Sequence, residues 1–398
     1  MNILFLSLSF SGIENRGIYS DLMRCFVRND HEVYVVSTNQ RREAKLPPFM
    51  RDKNFHSVKI RIPNITKTNF IEKGISTLLI EPLYLRYINK YLNNVKFDLV
   101  IYPTPPISFA HVVKHIKVRD NAKTYLLLKD IFPQNAVDLG LLRRDGILHR
   151  YFKRKEKMIY HVSDYIGTMS PANSQYIIDN RGVPSSKVEV NPNTIEPIEI
   201  ILSSQKKKAV RDKYSIPINK TVYVYGGNLG KPQGIDFLLD CVLSNENNKN
   251  SFLLIVGSGT EFNKIQDFFT QYDVKNSKLL SSLRKEEYEL LTHACDVGLI
   301  FLDYRFTIPN FPSRLLTYMQ ASMPVVAATD TSSDVGEVIS EGRFGFWCAS
   351  NNLRAFNDIL DKLNDEHLRK ELGVNARKFL LENYGVERTY NTILKHFR

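Results

Sequence analysis

Cysteine is scarce in this chain. Four stand among 398 residues, Cys25, Cys241, Cys295 and Cys348, and no two have C-x-x-C spacing. That argues against a zinc knuckle and a disulfide framework, and a reducing, cytoplasmic compartment fits. No run approaches the roughly 18 apolar residues that span a bilayer. The start, Met1–Phe10, is apolar but has no basic leader region and no small-residue cleavage site, so it reads as a buried first strand. G-x-G-x-x-G and G-K-[ST] are both missing, which argues against a dehydrogenase and excludes a Walker loop. No nucleic-acid motif, short repeat or low-complexity segment is found. Acidic residues are in the minority, 42 against 54 Lys and Arg, for a net charge of +12.

What is present is an ordinary globular composition, 43% hydrophobic and 24% charged, long enough for two or three domains. The positive charge is uneven. Residues 1–200 hold 29 basic and 19 acidic side chains, residues 201–398 hold 25 and 23. Such a one-sided surface suits an anionic partner such as nucleic acid, membrane or a phosphorylated substrate; plain solubility is the competing reading.

Short apolar runs alternate with helical patterns. Ile3–Ser9, Glu32–Ser37, Asp98–Tyr102, Thr124–Leu128, Tyr165–Met169 and Lys187–Val190 read as strands. A proline-punctuated, polar join follows near 194–220. The alternation then resumes with Thr221–Tyr225, Phe252–Val256, Lys278–Leu280, Val297–Leu302 and Pro324–Ala328. The expected class is α/β, with two doubly wound, Rossmann-like domains facing a central cleft. The expected boundaries are 1–195, 196–375, and a C-terminal helical piece, 376–398, packing back on the first domain.

Ligands of such sheets bind beyond the carboxyl ends of the strands. The loop Ser9–Gly17 ends in a glycine before a helix. Gly226-Gly-Asn-Leu-Gly-Lys-Pro-Gln-Gly234 places four glycines and Lys231 between a strand and a helix, which suits a diphosphate. Gly257-Ser-Gly259-Thr-Glu261 repeats the arrangement at the next strand. Turn geometry is the competing reading for these glycines. Pro312-Ser313-Arg314 reads as a helix start capped by Ser313, with an arginine fork for phosphate oxygens. Lys129-Asp130 closes a strand of the first half, where Asp130 either caps a helix or meets a sugar hydroxyl. Phe70–Leu92 is dense in apolar residues; Lys59, Arg61 and Lys67 precede it, Lys73 stands near its start, and Arg143–Lys157 forms a second basic cluster. An anionic membrane face and a core helix both fit.

Taken in order, these segments resemble glycosyltransferase family 4 within the GT-B fold, over nearly the whole chain. The most specific stretch is Phe311-Pro-Ser-Arg-Leu-Leu-Thr-Tyr-Met-Gln-Ala-Ser-Met-Pro-Val-Val-Ala327. It is similar to the P-S-K-L-x-x-Y-M-A-A-G-x-P-V-V-A of a branch that builds bacterial surface polysaccharides of capsule and O-antigen type. The resemblance implies retaining transfer of a sugar, an N-acetylhexosamine or a deoxyhexose, from a nucleotide diphosphate donor. A UDP-linked donor is expected, with no required cofactor or metal. It implies a saccharide or polyprenyl-diphosphate-linked acceptor, and a peripheral place on the inner face of the cell membrane. Expected donor contacts are Gly17, Gly227, Asn228, Gly230, Lys231, Gly257, Gly259, Glu261, Arg284, Pro312, Ser313, Arg314 and Leu315. Expected acceptor contacts are Arg16, Thr104, Lys129 and Asp130, with Asp130, Arg314 and Lys231 as catalytic groups. Where many relatives carry two glutamates, this chain has Pro309 and Thr317; where they carry an arginine and a lysine, it has Asn228 and Gln233. An epimerase of the same fold and a non-catalytic sugar-nucleotide or glycan binder are the rival readings.

Overall fold

The computed structural model describes residues 1–64 and 70–397, with side chains for all of these except 70–76. Lys67 lies outside the described residues, as does the side chain of Lys73. The chain divides into two compact units, Met1–Glu196 with Val386–Arg398, and Pro197–Gly385. These limits stand beside the expected 195 and ten residues beyond the expected 375.

Among the described residues, the N-terminal unit is built on eight strands. They are β1 (Asn2–Ser7), β2 (Glu32–Gln40), β3 (Phe49–Asp52), β4 (Phe55–Ile62), β5 (Leu99–Pro103), β6 (Lys123–Leu128), β7 (Tyr165–Thr168) and β8 (Val188–Val190). Their order is β3-β4-β2-β1-β5-β6-β7-β8, all parallel except β3 against β4. Ile3 to Leu6 are fully buried because helices cover both faces of a parallel sheet, so every side chain of β1 meets protein. The helices are α1 (Ile18–Arg28), α2 (Phe70–Tyr91), α3 (Ala110–Asp120), the short α4 (Gln134–Asp138), α5 (Ile147–Val162) and α6 (Pro171–Arg181). Local chemistry sets their ends. Ser170 accepts the Asn173 N–H at the start of α6, Pro171 opens the helix, and Gly182 closes it at φ +63°.

The C-terminal unit carries α7 (Ser204–Lys213) and the strands β9 (Thr221–Asn228), β10 (Ser251–Ser258), β11 (Ser277–Ser281), β12 (Val297–Phe301), β13 (Val325–Thr329) and β14 (Gly345–Ala349). All are parallel, in the order β11-β10-β9-β12-β13-β14. Its other helices are α8 (Ile235–Asn245), α9 (Phe262–Gln271), α10 (Lys285–His293), α11 (Arg314–Gln320), α12 (Val335–Glu341), α13 (Leu353–Lys362) and α14 (Glu366–Asn383).

The last helix, α15 (Val386–Leu394), returns to the N-terminal unit. Val386 and Ile393 are fully buried in the same cluster as Phe26 and Phe5. Tyr390 meets His31 at 3.1 Å, and His396 stacks on Tyr165 with ring centres 3.7 Å apart.

Two parts of the expected basic, apolar surface are used inside the N-terminal unit. Ile80, Tyr84 and Ile88, four residues apart on α2, are buried to 1% exposure or less, so the described part of this helix packs one face into the core. Lys59 donates to the Phe10 carbonyl at 2.7 Å and to Ser37 Oγ at 2.9 Å. Arg61 donates to Asn39 and to the carbonyls of Glu43 and Arg41. Both cations serve the sheet. All four cysteines are buried free thiols.

Candidate active site

The centre of the C-terminal sheet ends in the glycine loop. β9 leads Tyr225 and Gly226 to the carboxyl edge, where Gly227, Asn228 and Lys231 are exposed. Gly227 takes φ +134°, which a side chain would resist, and a Cβ there would stand 3.2 Å from Arg314 Nη2. The arginine thus lies against bare backbone. The loop is fixed by Gln233, whose Oε1 accepts from Asn228 Nδ2 at 2.9 Å and from the Gly230 N–H at 3.2 Å. Asp303, after β12, braces the same loop: its N–H donates to the Pro232 carbonyl at 3.0 Å, and Arg305 holds its carboxylate through two bonds. Lys231 extends into solvent.

Arg314 opens α11 and sits in a nest of tyrosines. Its guanidinium carbon is 4.2 Å from the centre of the Tyr225 ring, within cation–π range. Tyr318, one turn along α11, is fully buried; its hydroxyl accepts the Gly226 N–H at 3.3 Å and lies 3.0 Å from the Val224 and Leu299 carbonyls. Tyr288, from α10, covers Gly226 so closely that a Cβ there would fall 1.8 Å from its hydroxyl. Burial raises all three phenols, so they stay neutral. Arg314 forms no ion pair among the described residues, and its Nη1 is buried with no hydrogen-bond partner. An uncompensated, partly desolvated guanidinium with an unsatisfied donor is costly unless an anion joins it.

The second glycine turn has a different use. A Cβ on Gly257 would lie 2.0 Å from the Gly227 carbonyl oxygen, and one on Gly259 would lie 2.1 Å from that of Leu229. These glycines let β10 close on the loop, and the Glu261 N–H then donates to Leu229 at 2.9 Å. Glu261 is half-buried at the start of α9. Leu315 is fully buried, Pro312 partly so, and Ser313 exposed. The expected Ser313 cap does not form. Its backbone is already helical at φ −65° and ψ −16°, so its hydroxyl makes no cap hydrogen bond. Arg284 is 81% exposed at the start of α10, paired with Glu287 at 3.3 Å.

In the N-terminal unit, Thr104 organises the end of β6. Its buried hydroxyl accepts the Lys129 N–H at 3.0 Å and the Asp130 N–H at 3.3 Å, and donates to the Asp130 carbonyl at 3.3 Å. Thr104 therefore shapes the turn, and its hydroxyl is occupied. Burial pushes the Asp130 carboxyl up to about 6 and the Lys129 ammonium down to about 7. Lys129 Nζ lies 3.4 Å from the Asn191 carbonyl. In the first loop, the Gly17 N–H donates to Asp21 at 3.0 Å, and Arg16 is partly exposed beside it.

The structure thus brings Gly227, Asn228, Gly230, Gly257, Gly259 and Arg314 together, and in the other unit Thr104, Lys129 and Asp130. It leaves Arg284 at the surface and Leu315 in the core. Sequence reasoning missed the tyrosine nest, because Tyr225 and Tyr318 read only as strand and helix fillers. It also missed Asp330, after β13, which is 1% exposed, accepts from Ser332 and Ser333, and is raised by burial to about 6. Among the described residues no three His, Cys, Asp or Glu side chains gather as a metal-holding group.

Residues 19–198 match the sequence model of Glycosyltransferase Family 4, and residues 206–379 that of Glycosyl transferases group 1. The chain is 23% identical to the probable glycosyltransferase WbjE of Pseudomonas aeruginosa over 326 residues, 81% of this chain and 80% of that one. It is 20% identical to the putative colanic acid biosynthesis glycosyl transferase WcaI of Escherichia coli K12 over 246 residues, 61% of this chain and 60% of that one. Its fold is similar to that of Anabaena Alr3699/HepE, solved in complex with UDP and glucose. The TM-score is 0.72 at 16% identity, covering 100% of this chain and 99% of that one. With two Rossmann-like units of GT-B type, a family 4 domain in one and a group 1 domain in the other, the chain belongs to the glycosyltransferases.

Proposed function

We propose that the protein is a retaining glycosyltransferase of surface-polysaccharide synthesis that takes its sugar from a UDP-linked donor. The observation that carries this reading is Arg314, a charged guanidinium against the bare backbone of Gly227 with a buried, unsatisfied Nη1. A diphosphate supplies the oxygens that such a fork lacks. The donor diphosphate lies along Gly227–Lys231 and Arg314, with its nucleoside toward Gly257–Glu261. The UDP-bound HepE relative in fold supports a nucleotide sugar, and WcaI supports a polysaccharide role.

In the reaction the bond from the anomeric carbon to the diphosphate breaks. A bond to the acceptor oxygen forms on the same face, and the acceptor proton passes to the departing phosphate. Charge builds on the diphosphate, where Arg314, Lys231 and backbone amides stabilise it. Asp130 orients a hydroxyl of the acceptor, a saccharide or a polyprenyl-diphosphate-linked glycan drawn to an anionic membrane by the basic N-terminal unit. No enzyme metal is needed in this scheme.

Arg314→Ala tests the reading. Transfer from the UDP-sugar should fall by roughly 10²–10³ in turnover, as when one preorganised donor is removed, with the fold intact by circular dichroism. Near-full transfer by this variant would contradict the placement.

A further inference from the structure

The exposed faces of α3 and α5 meet along an open groove of about 1180 Å³ in the N-terminal unit. Its wall carries five Lys and Arg side chains, three histidines and no carboxylate among the described residues. Lys117 and Arg119 are paired with Asp164 and Asp120. Lys114, Arg154 and Lys157 are exposed, with no ion pair among the described residues. Large apolar groups are exposed on the same two helices. Ile147 is 83% exposed, Val118 75% and Leu148 61%.

The inward side of α5 explains none of this. His149, Glu156, Ile159 and Tyr160 are buried there, and Arg181 pairs with Glu156 at 2.9 Å. Ile147, Tyr151, Arg154 and Met158, three or four residues apart, form the outward stripe. A 16-residue helix is about 24 Å long, so this stripe presents an extended face.

We propose that the α3–α5 face lies on an anionic phospholipid surface, with the bare cations at the headgroups and Ile147, Leu148 and Val118 in the acyl boundary. Charge complementarity requires an anionic partner. The exposed aliphatic side chains on the same two helices call for one with an apolar layer beneath its charge, which a bilayer has and a nucleic acid lacks. The proposal deepens the membrane reading above by naming its surface.

Full-length protein is sedimented with vesicles of equal parts phosphatidylglycerol and phosphatidylcholine, and with phosphatidylcholine alone. The wild type should partition onto the first in a salt-sensitive way and not onto the second. Lys114→Gln/Arg154→Gln/Lys157→Gln should bind about 100-fold less, at roughly fivefold per surface charge. Ile147→Ser/Leu148→Ser should lose about tenfold or more. Lys206→Gln/Lys207→Gln/Lys208→Gln, in the C-terminal unit, should bind as wild type. All these positions are exposed, so melting curves should be unchanged. Undiminished binding by both groove variants would overturn the assignment of this face while leaving membrane association standing. Absence of wild-type binding to anionic vesicles, including retention on a DNA duplex instead, would overturn both.

Discussion

At the scale of single residues, the structure turns on charges placed where water is scarce. Arg314 keeps a full charge among three neutral tyrosines, an arrangement that stacking on Tyr225 stabilises and an anion would complete. Asp130 is the opposite case, a carboxyl whose charged form is disfavoured by burial. Its folded value of about 6 exceeds the 3.8 of a solvated aspartate. The folded state therefore holds a proton that the unfolded chain releases between those values. Stability from this group is fullest below about pH 4 and is lost as pH rises through 6. Asp130→Asn should thus raise stability above pH 6, by up to about 3 kcal/mol, and change little below pH 4. Urea melts of the two proteins at both pH values measure this. A gain independent of pH would contradict the burial of the charge. Arg314 and the glycines were legible as residues, because their types and spacing suit an anion, and Asp130 was legible as a charge closing a strand. The tyrosine nest was not, since it unites β9, α10 and α11, which are distant in sequence.

At the scale of elements, the sheets show which signals a sequence carries. Strands buried on both faces, such as β1 and β12, read as continuous apolar runs and were legible. The three missing from the sequence reading were β3, β4 and β14. β4 interleaves Lys59 and Arg61 with apolar residues, and those cations find carbonyl partners only once the sheet has formed. β14 ends the sheet order beside β13, and Trp347 remains 37% exposed. The meeting of β9 and β10 gives a prediction at this scale. Gly257→Ala would drive a methyl to 2.0 Å from the Gly227 carbonyl, and backbone there cannot yield as a flexible side chain does. Overpacking of this kind costs about 1–3 kcal/mol or more. The substitution should lower the melting temperature and weaken donor binding together, because it displaces the glycine loop. Gly182→Ala meets open space at φ +63° and should cost only about 1 kcal/mol, with donor binding intact. Equal effects on donor binding would contradict the close-packing role of Gly257.

At the scale of the whole molecule, the charge separates with the units. The N-terminal unit, with its returning tail, holds 32 Lys and Arg against 19 Asp and Glu; the C-terminal unit holds 22 against 23. The excess visible in the sequence thus belongs to one folded unit, and the tail strengthens it. The proposed donor site rests on a few placed groups, chiefly Arg314 and loop backbone, in a unit close to neutral. A screen of UDP-, GDP- and TDP-sugars by thermal shift, run on the wild type and on Arg314→Ala, tests that most directly. At about 100 times the dissociation constant a bound donor contributes about 2.7 kcal/mol, worth about 5 °C or more in melting temperature. The account predicts such a shift with the UDP-sugar for the wild type and its loss in Arg314→Ala. An unshifted wild type, or an equal shift in the variant, would contradict it.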